Sequence, residues 1–190
     1  MTDTKEILEE ARSHAVWLDR PVPPDLLRRL YDIAKMGPTS TNCCPMRVLF
    51  VTSLQAKERL KPALSESNVE KTMKAPVTAI IAYDTLFYDL MPMLFPARDM
   101  RTPYASNLQH AETTAFRNGT LQGAYLVIAA RALGLDCGAM SGFNNAKVDA
   151  EFFPDGRWKS NFLCNLGYAD RTKVNPPKPR PSFEEACRVI

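Results

Sequence analysis

The sequence predicts an α/β (or α+β) protein, a three-layer sandwich in which helices flank a mixed central sheet. Two observations support this prediction. Helical spacing alternates with strand-length β-branched runs along the chain, and one stretch near the middle is apolar nearly all round, as in a buried helix. No internal repeat, low-complexity tract or break in composition divides the chain. We therefore expect one domain over residues 1–190.

Caps and breakers predict the first helices. Asp3 and Glu6 have capping-box spacing, which predicts a short opening helix that ends by Ser13. Pro24 begins a second helix, and the Gly-Pro pair at residues 37–38 ends it. The segment after this pair must therefore be a loop.

The strands are predicted where β-branched and apolar residues run together. A helical stretch led by Ser53 separates the first two strands, and a helix opened by Asn145 precedes the last. This order gives the alternating α/β pattern. The predicted strands are residues 47–52, 77–83, 137–140 and 161–167.

The second half of the chain holds the predicted buried helix and an unusual tail. Residues 120–133 form this helix, central to the core or to a dimer, with Gly134 as its C′ residue. The Pro-rich residues 175–181 lack most backbone donors and favour an extended arm that reaches another subunit. Ser182 and Glu185 then predict a capped terminal helix.

Residues 86–110 are the least regular stretch, with three prolines and two arginines among several aromatic residues. The aromatic residues argue against a disordered linker. A mobile lid and an ordered surface excursion without function both remain open.

Composition excludes several classes of protein. A formal charge of +3, with dispersed basic residues, is too small for a nucleic-acid surface and suits an anionic small molecule better. No stretch reaches the roughly 20 apolar residues that span a bilayer, and the amino terminus is polar, so we expect a cytoplasmic protein. The five cysteines show no C-x-x-C pair, which favours free thiols. Two histidines offer little material for a metal site or a histidine-based triad.

Two glycine-containing loops are candidate ligand sites. Residues 37–45 read Gly-Pro-Thr-Ser-Thr-Asn-Cys-Cys-Pro, and their hydroxyl and amide groups could bond a planar heteroaromatic ligand or only one another. In residues 134–143, glycines permit close backbone approach. Neither loop has the spacing of a dinucleotide-binding G-x-G-x-x-G or of a P-loop.

Basic residues at the two ends of the chain form a third cluster. Arg12 beside Ser13 and His14, with Lys178 and Arg180 in the tail, could cradle a phosphate monoester, although each is individually more typical of a solvated side chain.

The order of these motifs resembles the FMN-dependent nitroreductase family over nearly the whole chain. The similarity implies a nitroreductase-like sandwich, working as a homodimer, with FMN as cofactor and NADH or NADPH as co-substrate. The matching motifs are Arg12-Ser13, Pro38 to Asn42, Asn68 with Lys71, residues 134–143 ending in Gly-Phe, and Lys178 with Arg180.

The resemblance also implies a role for each matching residue. The residues implied to hold the FMN phosphate are Arg12, Ser13, His14, Lys178 and Arg180, and those implied to line the ribityl chain and the ring, from the partner subunit, are Pro38, Thr39, Ser40 and Asn42. Asn68 and Lys71 are implied to bind the pyrimidine edge of the flavin. The implied catalytic positions, near the hydride-carrying N5 atom, are Ser141 and Gly142. Cys44 and Ser141 replace the glutamine and glutamate of other members, which implies a branch with its own flavin contacts and substrate.

Denser blocks, such as Met-Ser-Gly-Phe at residues 140–143, resemble one branch of the family, the malonic semialdehyde reductases of pyrimidine utilisation (Rut pathway). Relatives in this branch often carry the general label of NADH dehydrogenase or NAD(P)H nitroreductase. The branch implies ping-pong hydride transfer through the flavin, reducing malonic semialdehyde to 3-hydroxypropionate.

Residues for the substrate itself are less defined. Arg98, Arg101 and Arg117 are candidates for its carboxylate, and Tyr104 or water for the proton donor.

Three alternatives remain open at this point. A broad reductase of nitroaromatics, quinones or activated alkenes would share the same motifs. A non-catalytic flavin-binding protein would bind FMN without turnover. Cys43 and Cys44 could form a thiol-redox pair, although small packing residues are the simpler interpretation.

Overall fold

Four strands form one sheet, in the order β1-β2-β4-β3, in the computed structural model, which describes residues 4–190. The predicted sandwich is confirmed, but its three strand pairings are all antiparallel, so the sheet of this chain is not mixed. The helical segments between β1 and β2 and between β3 and β4 return the chain to its neighbour in the opposite direction. The strands are β1 (Met46–Val51), β2 (Val77–Asp84), β3 (Asp136–Met140) and β4 (Trp158–Gly167).

The helices agree with the predicted order and are more numerous than predicted. The stretch led by Ser53 divides into two helices, and residues 86–110 contain short helices of their own. The α-helices are α1 (Pro24–Ala34), α2 (Leu54–Leu60), α3 (Glu66–Lys74), α4 (Met91–Leu94), α5 (Arg101–Ala105), α6 (Leu108–Ala132), α7 (Asn145–Phe152) and α8 (Phe183–Ala186).

Most predicted caps are present. The Ser53 side chain accepts a bond from the third amide of α2, and Gly134 has the left-handed φ of 79° expected at C′. Ser182 and Glu185 form both bonds of the predicted capping box. The opening helix is only a π-helical turn, Lys5–Glu9, and its predicted cap Asp3 lies outside the described residues.

Alternating residues of β2 bury the two faces of the sheet. Ala79 and Ile81 pack into the cluster formed with α1 and α6, whereas Ile80 and Ala82 pack into the cluster formed with α2 and α7. Because side chains on a strand alternate between faces, one strand serves two cores. This arrangement produces the three layers.

Helix α6 is longer and less enclosed than the sequence predicted. It starts at Leu108, not near residue 120, and it approaches the sheet closely at Gly123, where an added Cβ would lie 2.6 Å from the Phe162 ring. Within one chain the predicted residues 120–133 are not buried on every face, because Leu121 and Ile128, seven positions apart on one side of the helix, are exposed. The helix therefore carries an apolar stripe towards solvent.

The excursion at residues 86–110 is packed onto the molecule. It contains a 3₁₀ turn (Phe87–Leu90), α4 and α5, and its aromatic side chains form a third buried cluster. These residues are therefore more regular than predicted, and the aromatic pattern that argued against a linker reflects real burial.

The carboxy-terminal tail lies outside the buried core. Residues 171–190 are exposed, and residues 174–182 have no regular structure, as the prolines predicted. None of the helices within residues 4–190 combines the length and the apolar character that crossing a bilayer requires.

Candidate functional site

Two sequence-predicted site segments meet just beyond β3. The Asn68 side chain, on α3, donates from Nδ2 to the Gly142 carbonyl oxygen at 2.7 Å, and the Ser65 amide donates to the same oxygen at 3.0 Å. A Cβ added to Gly142 would lie 2.6 Å from Asn68 Nδ2, so a larger residue would force this contact apart. Ser141, beside it, is exposed. The predicted pyrimidine-edge and N5 residues are thus neighbours.

Lys71 lies one helical turn after Asn68, on the same side of α3. It is half-buried, and its ammonium has no hydrogen bond or ion pair with residues 4–190. Its backbone carbonyl accepts from Trp17 Nε1 at 3.1 Å and from Asn165 Nδ2 at 3.3 Å. A cation without a counter-ion can attract an electron-rich or anionic ligand.

The amino-terminal motif lies along the edge of β3. Ser13 forms a parallel bridge with Cys137, and the His14 amide donates to the Cys137 carbonyl at 2.9 Å. Ser13 is exposed, whereas Arg12 and His14 line a cleft to which Ser13 does not contribute. The predicted phosphate residues are therefore divided between two environments, because neighbouring side chains of an extended chain point to opposite sides.

The cleft that Arg12 and His14 line has a volume of about 420 Å³ and contains charged residues that the sequence analysis did not select. Asp136 accepts from Arg171 at 3.1 Å and lies 3.5 Å from His14 Nε2. The Arg12 guanidinium donates to the carbonyls of Glu9 and Ala11, at 3.1 and 3.0 Å. The Arg171–Asp136 ion pair joins the start of the tail to β3. The two residues are 35 positions apart, so no local sequence signal predicts their contact.

His14 makes the stability of the fold sensitive to mild acid. Its side chain is 9% exposed. Burial lowers the pKa of His14 below its ordinary value of 6.5; nearby Asp136 opposes this shift, and Arg171 and Arg131 add to it. A lowered folded-state pKa means that the folded protein binds the proton more weakly. The contribution of the neutral, buried His14 side chain to the free energy of unfolding is therefore fully present above pH 6.5 and is lost as pH falls below that value.

We therefore expect the free energy of unfolding to decrease between about pH 7 and pH 5, and His14→Gln to flatten that decrease. Urea unfolding at a series of pH values measures it, with His110→Gln, at the second histidine, as the control. An H14Q profile parallel to that of the unaltered protein would contradict this assignment.

The two basic residues of the tail are not brought to the amino-terminal motif within one chain. Lys178 and Arg180 are exposed. The Arg180 guanidinium donates to the carbonyls of Lys178 and Pro179, at 2.9 and 3.2 Å. A phosphate site that combines both ends of the sequence therefore requires the tail to take another position or to come from another subunit.

The loop after α1 has a strained backbone. Thr41, Asn42 and Cys44 have φ values of 49°, 55° and 39°, in the left-handed region that non-glycine residues rarely adopt. Such conformations cost about 1–3 kcal/mol each and persist where surrounding contacts hold them. They are commonest at functional sites, which supports the choice of this loop from its sequence.

The contacts that hold this loop come from α6 and from the excursion. The Ser40 amide donates to Asn118 Oδ1 at 2.9 Å, and Asn42 Nδ2 donates to the Leu94 carbonyl at 2.9 Å. The Tyr125 hydroxyl donates to the Pro38 carbonyl at 3.1 Å. Pro38, Thr39, Ser40 and Asn42 therefore form one unit, whose described contacts are with α6 and α4 and not with Asn68 or Gly142.

The vicinal cysteines have different environments. Cys43 is fully buried in the third cluster, and burial raises its pKa to about 11, so the thiolate is scarce at neutral pH. Cys44 is half-buried, and its Sγ lies 3.4 Å from Asn42 Oδ1. Cys43 thus acts as a packing residue, and the five thiols are free.

The candidate substrate residues also differ in their surroundings. Arg101 is already paired with Asp89 at 3.1 Å. Arg98 and Arg117 are exposed and have no ion pair with the described part of the chain. The Tyr104 ring is buried against Phe87 and stacked on His110, at centroid distances of 4.9 and 5.3 Å. Residues 4–190 contain no group of three or more metal-ligating side chains.

The family assignment rests on a match along most of the chain. The model of the Nitroreductase family matches residues 8–168. This chain belongs to the Nitroreductase family. The matched range includes the strained loop, Asn68 with Lys71, and the turn at Gly142, and it ends before the Pro-rich tail.

Two curated members of the Nitroreductase family are similar to the chain over almost its full length. The protein named "Putative NADH dehydrogenase/NAD(P)H nitroreductase RSc1004", from Ralstonia nicotianae, is 57% identical over 185 residues, covering 97% of this chain and 95% of that protein. A protein with the same general name, HadB from Ralstonia pickettii, is 56% identical and covers 95% of this chain and 93% of its own length.

Solved structures share the fold at low sequence identity. A "putative nitroreductase in complex with FMN" from Exiguobacterium sibiricum superposes with a TM-score of 0.87 at 19% identity, covering 100% of this chain and 98% of that one. A nitroreductase family protein from Streptococcus pneumoniae has a TM-score of 0.85 at 20% identity, covering 99% and 100%. Both similarities concern the fold.

Proposed function

We propose that this member of the Nitroreductase family is an FMN-dependent NAD(P)H oxidoreductase. The observation that carries the proposal is the hydrogen bond between Asn68 and Gly142 beyond β3, with Lys71 one helical turn further along α3, half-buried and without an ion pair to residues 4–190. FMN, when bound, would supply the hydride acceptor and donor between NAD(P)H and a second substrate. The "putative nitroreductase" from Exiguobacterium sibiricum, which shares this fold, was solved in complex with FMN.

The residues of the chain suit such a ligand. Lys71 and Asn68 would bind the electron-rich pyrimidine edge, and the exposed Ser141 with the Gly142 backbone would lie near the reacting atom. Because Asn68 already donates to the Gly142 carbonyl, the two positions are fixed relative to each other. Ser13 would bind the phosphate, with Arg12, His14, Lys178 and Arg180 as further candidates.

The proposal includes a homodimer. The strained loop at Pro38 to Asn42 is held by α6 and α4, so we place it in the site of the partner subunit. Two features support association: the exposed apolar stripe of α6 and the extended tail. A cytoplasmic location belongs to the same proposal, since free thiols persist in a reducing compartment.

For the second substrate we propose malonic semialdehyde, reduced to 3-hydroxypropionate. Its carboxylate requires a cation, and Arg98 and Arg117 are exposed without an ion pair to residues 4–190, whereas Arg101 is occupied by Asp89. The broader alternative, a reductase of nitroaromatics, quinones or enones, is favoured by the nitroreductase names of the relatives that are more than half identical.

The visible absorption spectrum tests these assignments in sequence. We expect purified protein, supplied with FMN and desalted, to keep flavin absorption, to lose it with anaerobic NADPH, and to regain it when malonic semialdehyde is added. A parallel panel of a nitroaromatic, a quinone and an enone, each at the same concentration, compares the rates of recovery.

Each result separates one pair of interpretations. Protein that retains no flavin would contradict the FMN assignment. Flavin that NADPH fails to bleach would identify a non-catalytic flavin-binding protein. Recovery that is faster with a panel compound than with the semialdehyde would replace the narrow substrate by the broad reductase.

A further inference from the structure

A buried hydrogen-bond network lies between the sheet and α3. Asn165 is fully buried on β4, directly opposite Thr78 of β2. The Thr78 hydroxyl donates to Asn165 Oδ1 at 2.7 Å, which fixes the orientation of the amide. Asn165 Nδ2 therefore points to α3, where it lies 3.3 Å from the Lys71 carbonyl and 3.4 Å from Thr72 Oγ1.

A second donor reaches the same carbonyl from the amino-terminal segment. Trp17 Nε1 donates to the Lys71 carbonyl oxygen at 3.1 Å. The indole itself has little freedom, because Trp17 forms a backbone bridge with Ala169 and its ring packs over Gly138 of β3 and Gly167 of β4. Ring atoms lie 3.5 and 3.1 Å from the Cβ positions that Gly138 and Gly167 lack.

The Lys71 carbonyl thus accepts three donors, since the amide of Ala75, the residue that caps the end of α3, also donates to it at 3.2 Å. Helix α3 has only nine residues and a largely polar composition, and a helix this short is not stable by itself. Its position must come from tertiary contacts. The network attaches to the backbone of the residue whose side chain carries the cation without a counter-ion.

We infer that Trp17 and Asn165 are positioning residues that hold Lys71 in place through its backbone carbonyl. Neither side chain needs to touch the ligand. The inference rests on the proposed function, in which Lys71 binds the pyrimidine edge of FMN. It explains how that contact is positioned: β4 and the amino-terminal segment together fix the position and the rotation of the turn of α3 that carries Lys71.

Trp17→Phe tests this inference, because it removes the indole N–H that donates to the Lys71 carbonyl and keeps an aromatic ring. It also removes ring atoms that pack over Gly138 and Gly167, so the control must remove the same atoms elsewhere. We expect the dissociation constant for FMN to rise about fivefold, the effect of one ordinary hydrogen bond. Trp158→Phe, at the other tryptophan, is the matched control and should bind FMN normally. In the protein without flavin, hydrogen exchange of the Ala75 amide should be faster in W17F than in W158F.

A double-mutant cycle with Lys71→Met shows whether Trp17 acts through Lys71. We expect W17F to cause no further loss of FMN affinity in the K71M protein. An equal fivefold loss in both backgrounds, or unchanged affinity in W17F, would overturn the inference. Unchanged affinity in K71M alone would instead contradict the proposed contact of Lys71 with FMN. If W17F does not fold, Asn165→Ala enters the same cycle with the same expected outcomes.

Discussion

Replacing Asp84 by asparagine should lower the free energy of unfolding by about 3–5 kcal/mol, the usual effect of breaking a buried ion pair from one side. The Asp84 side chain is 2% exposed. Its carboxylate accepts from Arg47 Nη2 at 2.7 Å and from Arg157 Nε and Nη2 at 3.0 and 3.2 Å. The substitution would leave two guanidinium groups facing a neutral amide, part of which cannot accept a bond.

Asp84 also accepts from the Leu86 amide at 2.9 Å, where the chain leaves β2 for the excursion. We therefore expect D84N to loosen that segment as well as the joint of β1, β2 and β4. Urea unfolding followed by far-ultraviolet circular dichroism measures the loss. Glu151→Gln is the control, because the Arg59–Glu151 pair is exposed and is expected to contribute at most about 1 kcal/mol. Equal losses in D84N and E151Q would contradict this account.

The elements that sequence predicted well are those with local chemical signals. Pro24 begins α1, Gly134 ends α6 with a left-handed φ, and the Ser182–Glu185 box forms as expected. Each of these signals acts within four residues, so the surrounding fold hardly alters it. The direction of the strands has no such signal, because it depends on which segments pair in space. This explains why the sheet was expected to be mixed.

The extent of α6 was missed for a related reason. Its first turns, from Leu108, are mostly polar, so the apolar pattern indicated only the later part. Exposed Phe116 and Ile128 continue the same apolar character onto the surface. Sequence cannot distinguish burial in a chain from burial against a partner, since both require the same residues.

In the candidate site, the resemblance to the family predicted which residues take part, and the structure showed which of them are in contact. Asn68 and Gly142 are 74 positions apart, and nothing local predicts their bond. Asn165 did offer a signal: it is an amide inside the otherwise apolar run of β4, and a polar residue in a buried strand indicates a hydrogen-bond partner. The turn of His14 towards Asp136 follows from strand alternation once Ser13 is paired with β3.

Replacing Lys71 by methionine should weaken FMN binding by about 10- to 150-fold, the range for one charge-assisted hydrogen bond worth about 1.5–3 kcal/mol. The methionine side chain keeps most of the volume of the lysine and removes its charge. The effect should be large because Lys71 is half-buried and its ammonium has no competing ion pair with residues 4–190. Quenching of FMN fluorescence on titration with flavin-free protein gives the dissociation constant.

Two comparisons locate the lost interaction on the ligand. Lys74→Met, one turn further along α3, removes a charge that is 66% exposed and already paired with Glu70, so FMN binding should be unchanged. Riboflavin lacks the phosphate but has the same ring, so K71M should weaken its binding by the same factor as FMN. If K71M weakened the binding of FMN but not that of riboflavin, Lys71 would contact the phosphate and not the pyrimidine edge. Asn68 and Gly142 would then have to contact a different group of the ligand.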